Sequence, residues 1–252
     1  MPILYIVATP IGNLKDITLR ALETLKEVDF ILCEDTRQAA KLLNHHNISK
    51  PLISYFQHSK LSKIEYIIDL LNQGKNLALV TDAGTPGISD PGNQLISQLA
   101  KLSPERSVAE SKGLATAQFY PSISSGNKIA SSVQIIPIPG ACAAIAALSV
   151  SGFPTDKFIF MGFPPHKKAR EKFFKEISEA KYTVIFYESV HRIIKALEKL
   201  KEILLDERQI VVCRELTKQF ETIYRGNVGD VLEKIKNDTI KGEFVVIVGM
   251  KE

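Results

Sequence analysis

The apolar residues of this chain fall into two alternating patterns. Short apolar runs at residues 3–8, 30–33 and 77–80, with a strand-like stretch at 51–55, have the length and makeup of strands. The run at 77–80 is wholly apolar and predicts a strand buried on both faces. Between these runs, apolar positions recur at helical spacing. Ile17, Ala21, Leu22, Leu25 and Val28 form one stripe, with Asn13 and Asp16 on hand as caps. Ala39, Ala40, Leu42 and Leu43 form a second, and residues 64–71 a third. Asp90 and Pro91 suit the N-cap and first position of a fourth helix, running through Leu95, Ile96, Leu99 and Ala100.

Residues 103–132 interrupt the alternation: they are serine-rich, hold two prolines and two glycines, and keep no period. They read as a long surface loop. A strand at 133–138 then leads to a small-residue helix at 141–150, a strand at 158–161 and a basic helix at about 168–180. Next come a strand at 182–187 and an amphipathic helix carrying Ile193, Ile194, Leu197, Leu200, Ile203 and Leu204. Strands at 209–214 and 220–224, a helix with Val231, Leu232 and Ile235, and a strand at 243–248 follow. Strands alternating with helices predict an α/β protein with mostly parallel sheets. The break near Pro139 divides it into two α/β domains, at 1–138 with the inserted loop 103–132 and at 139–252.

Composition narrows the class without naming it. With 252 residues, 45% hydrophobic and 24% charged, the chain has enough apolar material for a core and needs no disulfide scaffold. Cys33, Cys142 and Cys213 are widely spaced, which gives no metal ribbon or disulfide framework and points to a reducing, cytoplasmic setting. The first apolar run is too short for a signal peptide, and none approaches the roughly 18 residues of a membrane span. The expectation is therefore no membrane association. The formal charge is +4, and residues 1–138 hold 13 basic and 12 acidic side chains against 19 and 16 in the remainder. The densest basic piece, His166 to Lys172, follows Pro164 and Pro165.

In open α/β sheets ligands bind beyond the carboxyl ends of strands, which singles out four loops. They are Thr9 to Leu14, Glu34 to Arg37, Asp82 to Gly92, and Pro139 to Ala143. No GxGxxG follows the first strand, and no GxxxxGK[ST], HExxH, GxSxG or CxxC occurs. Dinucleotide, P-loop, zinc-hydrolase, serine-hydrolase and thiol-redox chemistry thus lack their usual signatures, and no metal is expected. The third loop has two readings. It is either a tight strand-to-helix connection punctuated by Gly and Pro, or a cradle in which amides near Ala83 and Gly84 hold a zwitterionic ligand while Asp82 answers its positive charge. S-adenosylmethionine has the right charges, although residue types alone do not name it.

Taken in order, several motifs resemble one family. They are PIGNL at 10–14 with Asp16, EDTR at 34–37, DAGTPGISDPG from Asp82, PIPGACAAIAALSVSG from Pro137, FYES with His191 and Arg192, RELTK at 214–218 and KGEFVVIV at 241–248. This series is similar to the ribosomal small subunit methyltransferase I family, of the tetrapyrrole methylase (class III) fold, over nearly the whole chain. The resemblance implies methyl transfer from S-adenosylmethionine to the ribose 2′-hydroxyl of a cytidine in 16S rRNA, at the decoding centre of the small ribosomal subunit. It also implies a cofactor cleft between two α/β domains and a homodimer. The implied cofactor residues are Pro10, Asp82, Ala83, Gly84, Thr85, Ile88, Cys142, Ala143, Tyr187, Glu188, Leu216, Gly242 and Glu243.

The chain departs from the family at three places. Residues 103–132 stand where a short turn is usual, Phe56-Gln57-His58-Ser59 stands where the family often has His-Glu-His-Asn, with only His58 matching, and Val190 replaces a proline. An in-line displacement at a sulfonium methyl rests largely on alignment, with deprotonation of the hydroxyl as a second contribution. Candidate bases are Asp35, Glu34 and His58, with Arg37 orienting a phosphate or a carboxylate. Asp35 and Arg37 read equally as a helix cap with a local ion pair, and His58 as a surface histidine. Lys167, Lys168 and Arg170 are candidate RNA-phosphate contacts or simply the charged start of a solvated helix. Two other functions stay open here: a class III enzyme acting on a small tetrapyrrole or a protein, and a non-catalytic RNA-binding protein that keeps the fold.

Overall fold

The computed structural model describes residues 1–56, 61–90, 92–102, 133–204, 208–238 and 240–251. His58 and the inserted loop 103–132 lie outside them. The chain forms two compact units, one of Met1–Pro10 with Leu14–Ala141 and one of Ile11–Asn13 with Cys142–Glu252.

The first unit holds Ile3–Val7 (β1), Leu19–Glu27 (α1), Phe30–Cys33 (β2), Thr36–His45 (α2), Leu52–Ser54 (β3), Leu61–Asn72 (α3), Leu77–Leu79 (β4), Gly92–Leu102 (α4) and Gln134–Ile138 (β5). Its sheet runs β3-β2-β4-β1-β5, and every pairing is parallel. Side chains alternate across it. Val7, Ile31, Cys33 and Ala78 pack with Ala21, Leu25, Ala39 and Leu43 of α1 and α2 on one face. Leu4, Leu32, Leu77 and Leu79 pack with Ile64, Ile67, Leu95 and Leu99 of α3 and α4 on the other. A strand covered on both faces must be apolar throughout, which is why residues 77–80 carry no polar side chain. The cap of α1 differs from expectation. Leu14–Asp16 forms a separate 3-10 turn, and Thr18 caps α1 by accepting the Ala21 amide at 3.1 Å.

The second unit contains Ala143–Ser149 (α5), Phe158–Phe160 (β6), Lys168–Glu179 (α6), Thr183–Ser189 (β7), Ile193–Ile203 (α7), Gln209–Arg214 (β8), Thr222–Asn227 (β9), Val228–Lys236 (α8) and Glu243–Val248 (β10). Its sheet runs β6-β7-β10-β8-β9, and here the expectation of mostly parallel pairing needs correction. Only β6 with β7 is parallel; β7 with β10, β10 with β8, and β8 with β9 are antiparallel. The helical crossovers do join strands of like direction, as the alternation requires. However, α7 carries the chain from β7 over one position to β8, and α8 carries it from β9 over one position to β10. Each skipped position is filled by a strand running the other way. The short connection between β8 and β9 has no crossover helix and can only reverse the chain.

Against one face of this sheet lie α6, α7 and α8; against the other lies α5, with Ala144, Ala147 and Leu148 on Ile185, Val211 and Val245. Phe173, Phe174 and Phe186 meet edge-on, with centroids 5.6 to 6.2 Å apart. This cluster pins α6 to the middle of β7. Replacing the fully buried Phe186 by alanine is expected to cost about 4 kcal/mol, read as a lower denaturant midpoint with an unchanged slope.

Candidate functional site

All strands of the first sheet end at one edge, and the loops leaving that edge are tied together. The Thr9 amide donates to the Gly84 carbonyl at 2.8 Å, and the Gly84 amide returns a bond to Thr9 at 3.1 Å. The buried Thr9 hydroxyl donates to the Thr81 carbonyl at 3.0 Å, and Thr85 Oγ1 donates to the Ala141 carbonyl at 3.0 Å. Gly140 lies so close to Ala8 that a Cβ there would meet the Ala8 methyl at 2.9 Å. Thus Pro10, Asp82, Ala83, Gly84 and Thr85, expected from the sequence, fall into one cluster in this unit. The loop is held from within as well. The Asp90 carboxylate accepts the Gly87 and Gly92 amides at 2.7 Å each, serving as the expected helix cap, and Ile88 projects to solvent.

Chain connections diverge between two neighbouring strands of this sheet, β2 and β4: the chain leaves β2 towards β3, and leaves β4 across β1 towards β5. Such a switch point opens a crevice at the strand ends. It is here that Glu34, Asp35 and Asp82 meet. The Asp35 amide donates to Asp82 Oδ1 at 3.2 Å. The Asp35 carboxylate caps α2 by accepting the Arg37 amide at 2.8 Å and pairs with Arg37 Nη2 at 2.7 Å. These bonds from Arg37 hold Asp35 down at about 2, so it stays ionised and weakly basic. Burial and the nearby Asp35 charge push Asp82 up. Glu34 has the opposite fate to Asp35: burial, then the Asp90 and Asp82 charges, push it up to about 7, and its buried Oε1 has no hydrogen-bond partner.

The second unit gathers another set. Tyr187, near the end of β7, accepts the Ala144 amide at 3.1 Å through its hydroxyl, which lies beside Cys142, and burial raises its pKa. Its ring meets those of Phe160 and Phe163 at 5.0 and 5.3 Å. Glu215, Leu216, Gly242 and Glu243 come together where β8 ends and β10 begins. Glu215 Oε1 accepts from Lys218 Nζ at 2.8 Å and from the Glu243 amide at 3.0 Å, and Lys218 Nζ also reaches Glu243 Oε2 at 2.9 Å. Glu215 and Thr217 have φ of 51° and 64°, left-handed values that non-glycine residues adopt rarely. Gly242, at φ 88°, has no room for a Cβ against the Glu215 carboxyl. Asn13, of the 11–13 segment, donates its amide to Thr217 Oγ1 at 3.1 Å.

Glu188 has a different environment from the other expected cofactor residues. Its carboxylate is fully buried and pairs with Arg192 Nε at 2.8 Å and Arg170 Nη2 at 3.1 Å. Arg170 also lies over the Phe174 ring, and Arg192 Nη1 donates to the Pro164 carbonyl at 3.1 Å. The fork therefore ties β7 to the starts of α6 and α7 and to the proline turn. Lys167, exposed and at φ 57°, projects from that turn. The sequence reading did not foresee this arginine fork or the convergence of Glu34 with Asp90. The charge types were visible, but the pairing spans β7, α6 and α7, which only the fold brings together. Among the described residues, no group of three His, Cys, Asp or Glu is arranged to hold a metal ion. Likewise, no described helix is long and apolar enough to cross a membrane.

Comparison with known proteins gives consistent likenesses. The model for tetrapyrrole (corrin/porphyrin) methylases matches residues 3–137 and 123–232. The chain is 43% identical over 249 residues to a ribosomal RNA small subunit methyltransferase I of Haemophilus influenzae, covering 98% of this chain and 78% of that protein. To the protein of the same name from Halalkalibacterium halodurans it is 44% identical, covering 97% of this chain and 75% of that one. Among solved structures it is similar to a cobalt precorrin-4 methyltransferase, with TM-score 0.65, 16% identity, and coverage of 98% of this chain and 94% of that chain. At that identity the likeness is one of fold.

The electrostatics of Glu34 give a stability prediction. Its pKa is raised from 4.5 to about 7 on folding, so the folded state binds more protons than the unfolded state between those values, and stability falls as pH rises through the window. Glu34→Gln removes this titration. The melting temperature of the variant minus that of the wild type is expected to grow between pH 4.5 and about 7 and to level off on either side.

Proposed function

Because the chain belongs to the ribosomal RNA small subunit methyltransferase I family, within the tetrapyrrole methylases, we propose that it methylates 16S rRNA. The donor is S-adenosylmethionine and the acceptor the ribose 2′-hydroxyl of a cytidine in the small ribosomal subunit. The observation that carries this reading is relatedness over 98% of the chain at 43% identity to a protein of that name. It is supported by the clustering of the first unit's motif loops at the switch-point edge of a parallel sheet. The proposed setting is the cytoplasm, and the proposed assembly a homodimer.

The residues present fit this donor. Asp82, raised by partial burial and by a second carboxylate, is suited to a cationic ligand, and the Ala83–Gly84 backbone leaves little bulk beside it. We assign Pro10, Asp82, Ala83, Gly84, Thr85 and Ile88 in the first unit to cofactor binding, and in the second Cys142, Ala143, Tyr187, Leu216, Gly242 and Glu243. In Glu188 the buried side chain is committed to two arginines, so its part is to fix the end of β7. Bound S-adenosylmethionine supplies an activated methyl on a good leaving group, so the chain's own work is chiefly alignment. Asp35, permanently ionised, holds Arg37, whose guanidinium is exposed and suited to an rRNA phosphate. His58 is assigned to the acceptor side on the resemblance alone. Lys167 and Lys168 are assigned to rRNA phosphates, with Arg170 fixing the turn from which Lys167 projects.

Labelled methyl transfer from S-adenosylmethionine to small subunits lacking the modification is expected to place the label on one cytidine ribose, mapped by nuclease digestion. Label on a base, or no transfer despite cofactor binding, would overturn the acceptor assignment. The double variant Lys167→Ala, Lys168→Ala is expected to keep cofactor affinity and weaken subunit binding. The slope of log affinity against log salt should shrink by about 1 to 2, from the counterions no longer released.

A further inference from the structure

We propose that Glu34 is the group that accepts the ribose hydroxyl proton during methyl transfer, an assignment that rests on the function proposed above. The argument begins with position. Glu34 directly follows β2, at the carboxyl end where the connections from β2 and β4 part in opposite directions, the place in the sheet at which this topology opens a crevice. Its surroundings leave it free for a proton. Oε1 is buried yet makes no hydrogen bond, which is rare for a carboxylate oxygen.

Among the described residues, the charges that act on Glu34 from neighbouring elements are negative: Asp90, ahead of α4, and Asp82, from the loop after β4. Arg37, the cation of the same crevice, is paired with Asp35. Asp35 itself is a poor alternative, because its oxygens already serve the α2 cap and the Arg37 guanidinium. The proton affinity of Glu34, raised by burial and then by Asp90 and Asp82 to about 7, lies where a general base works best.

The bookkeeping of atoms is simple. A lone pair of the ribose 2′-oxygen forms the bond to the methyl carbon while the carbon–sulfur pair returns to sulfur, converting the sulfonium to a neutral thioether. The O–H bond breaks with its electron pair staying on oxygen, and its proton forms a new O–H bond on the Glu34 carboxylate, which later releases it to solvent.

The test compares wild type, Glu34→Gln and Glu34→Asp in single-turnover methyl transfer to small subunits lacking the modification, from pH 5 to 9. Calorimetric affinity for S-adenosylmethionine and carboxyl NMR titration of Glu34 run alongside. The expected wild-type rate rises with pH and levels above about 7, matching the NMR titration. Glu34→Gln should lose about 100-fold and its pH limb while keeping cofactor affinity, and Glu34→Asp should recover part of the rate with a shifted limb. A Glu34→Gln rate within about twofold of wild type, or an unchanged limb, overturns the assignment and leaves the proposed function standing. If wild type itself transfers no methyl to the subunit, both fall.

Discussion

Parallel pairing is the constraint on which the candidate chemistry of the first unit depends. When every neighbouring strand runs the same way, each strand's carboxyl end lies at the same edge, and segments separated by tens of residues in sequence are delivered to one line. The Thr9–Gly84 bridge and the Thr9 hydroxyl bond to Thr81 make that line rigid. Without them the loops after β1 and β4 would share an edge but not a geometry. The glycines act in the same direction, since Gly140 permits backbone approach that any Cβ would block.

A structure tuned only for stability would not keep Glu34 as it is. A buried carboxyl oxygen without a donor, facing two further carboxylates, is a cost to folding that its neighbours were not arranged to relieve. Asp35, the next residue, shows what relief looks like: a helix cap and a guanidinium satisfy it fully. Left-handed Glu215 and Thr217 and the crowded Gly242 store a second, backbone form of the same cost. In both units, the unfavourable features lie in the segments that the motif series singles out.

Much of this was legible in the sequence. Helices and strands follow from apolar spacing, because burial on one stripe or on alternate positions is a local pattern. The loops after β1, β2, β4 and β5 stand out from the strand–helix alternation alone. Strand adjacency was not legible in the second unit, because a helix fixes the direction in which the chain returns and not the strand beside which it settles. The roles of single carboxylates were hidden for a related reason. Glu34 and Asp35 are adjacent and alike in type, and only Arg37, Asp82 and Asp90, placed by the fold, set them apart. Arg170 reads as part of a basic run and Arg192 as surface charge at a helix start, yet both are committed to Glu188.

The interleaved crossovers of the second sheet bear on how the chain comes to be folded during synthesis. The strand of this sheet that is made latest, β10, is also the central one, flanked by β7 and β8. Until residues 243–248 have emerged, both of those strands carry open backbone edges and most of the apolar surface that β10 will later cover. The first sheet waits on no such later segment, since its strands are complete by Ile138. The growing chain therefore passes through a stage with one finished unit followed by a half-built one, whose exposed edges invite pairing with other chains. Translation speed over α8 and β10 sets how long that stage lasts.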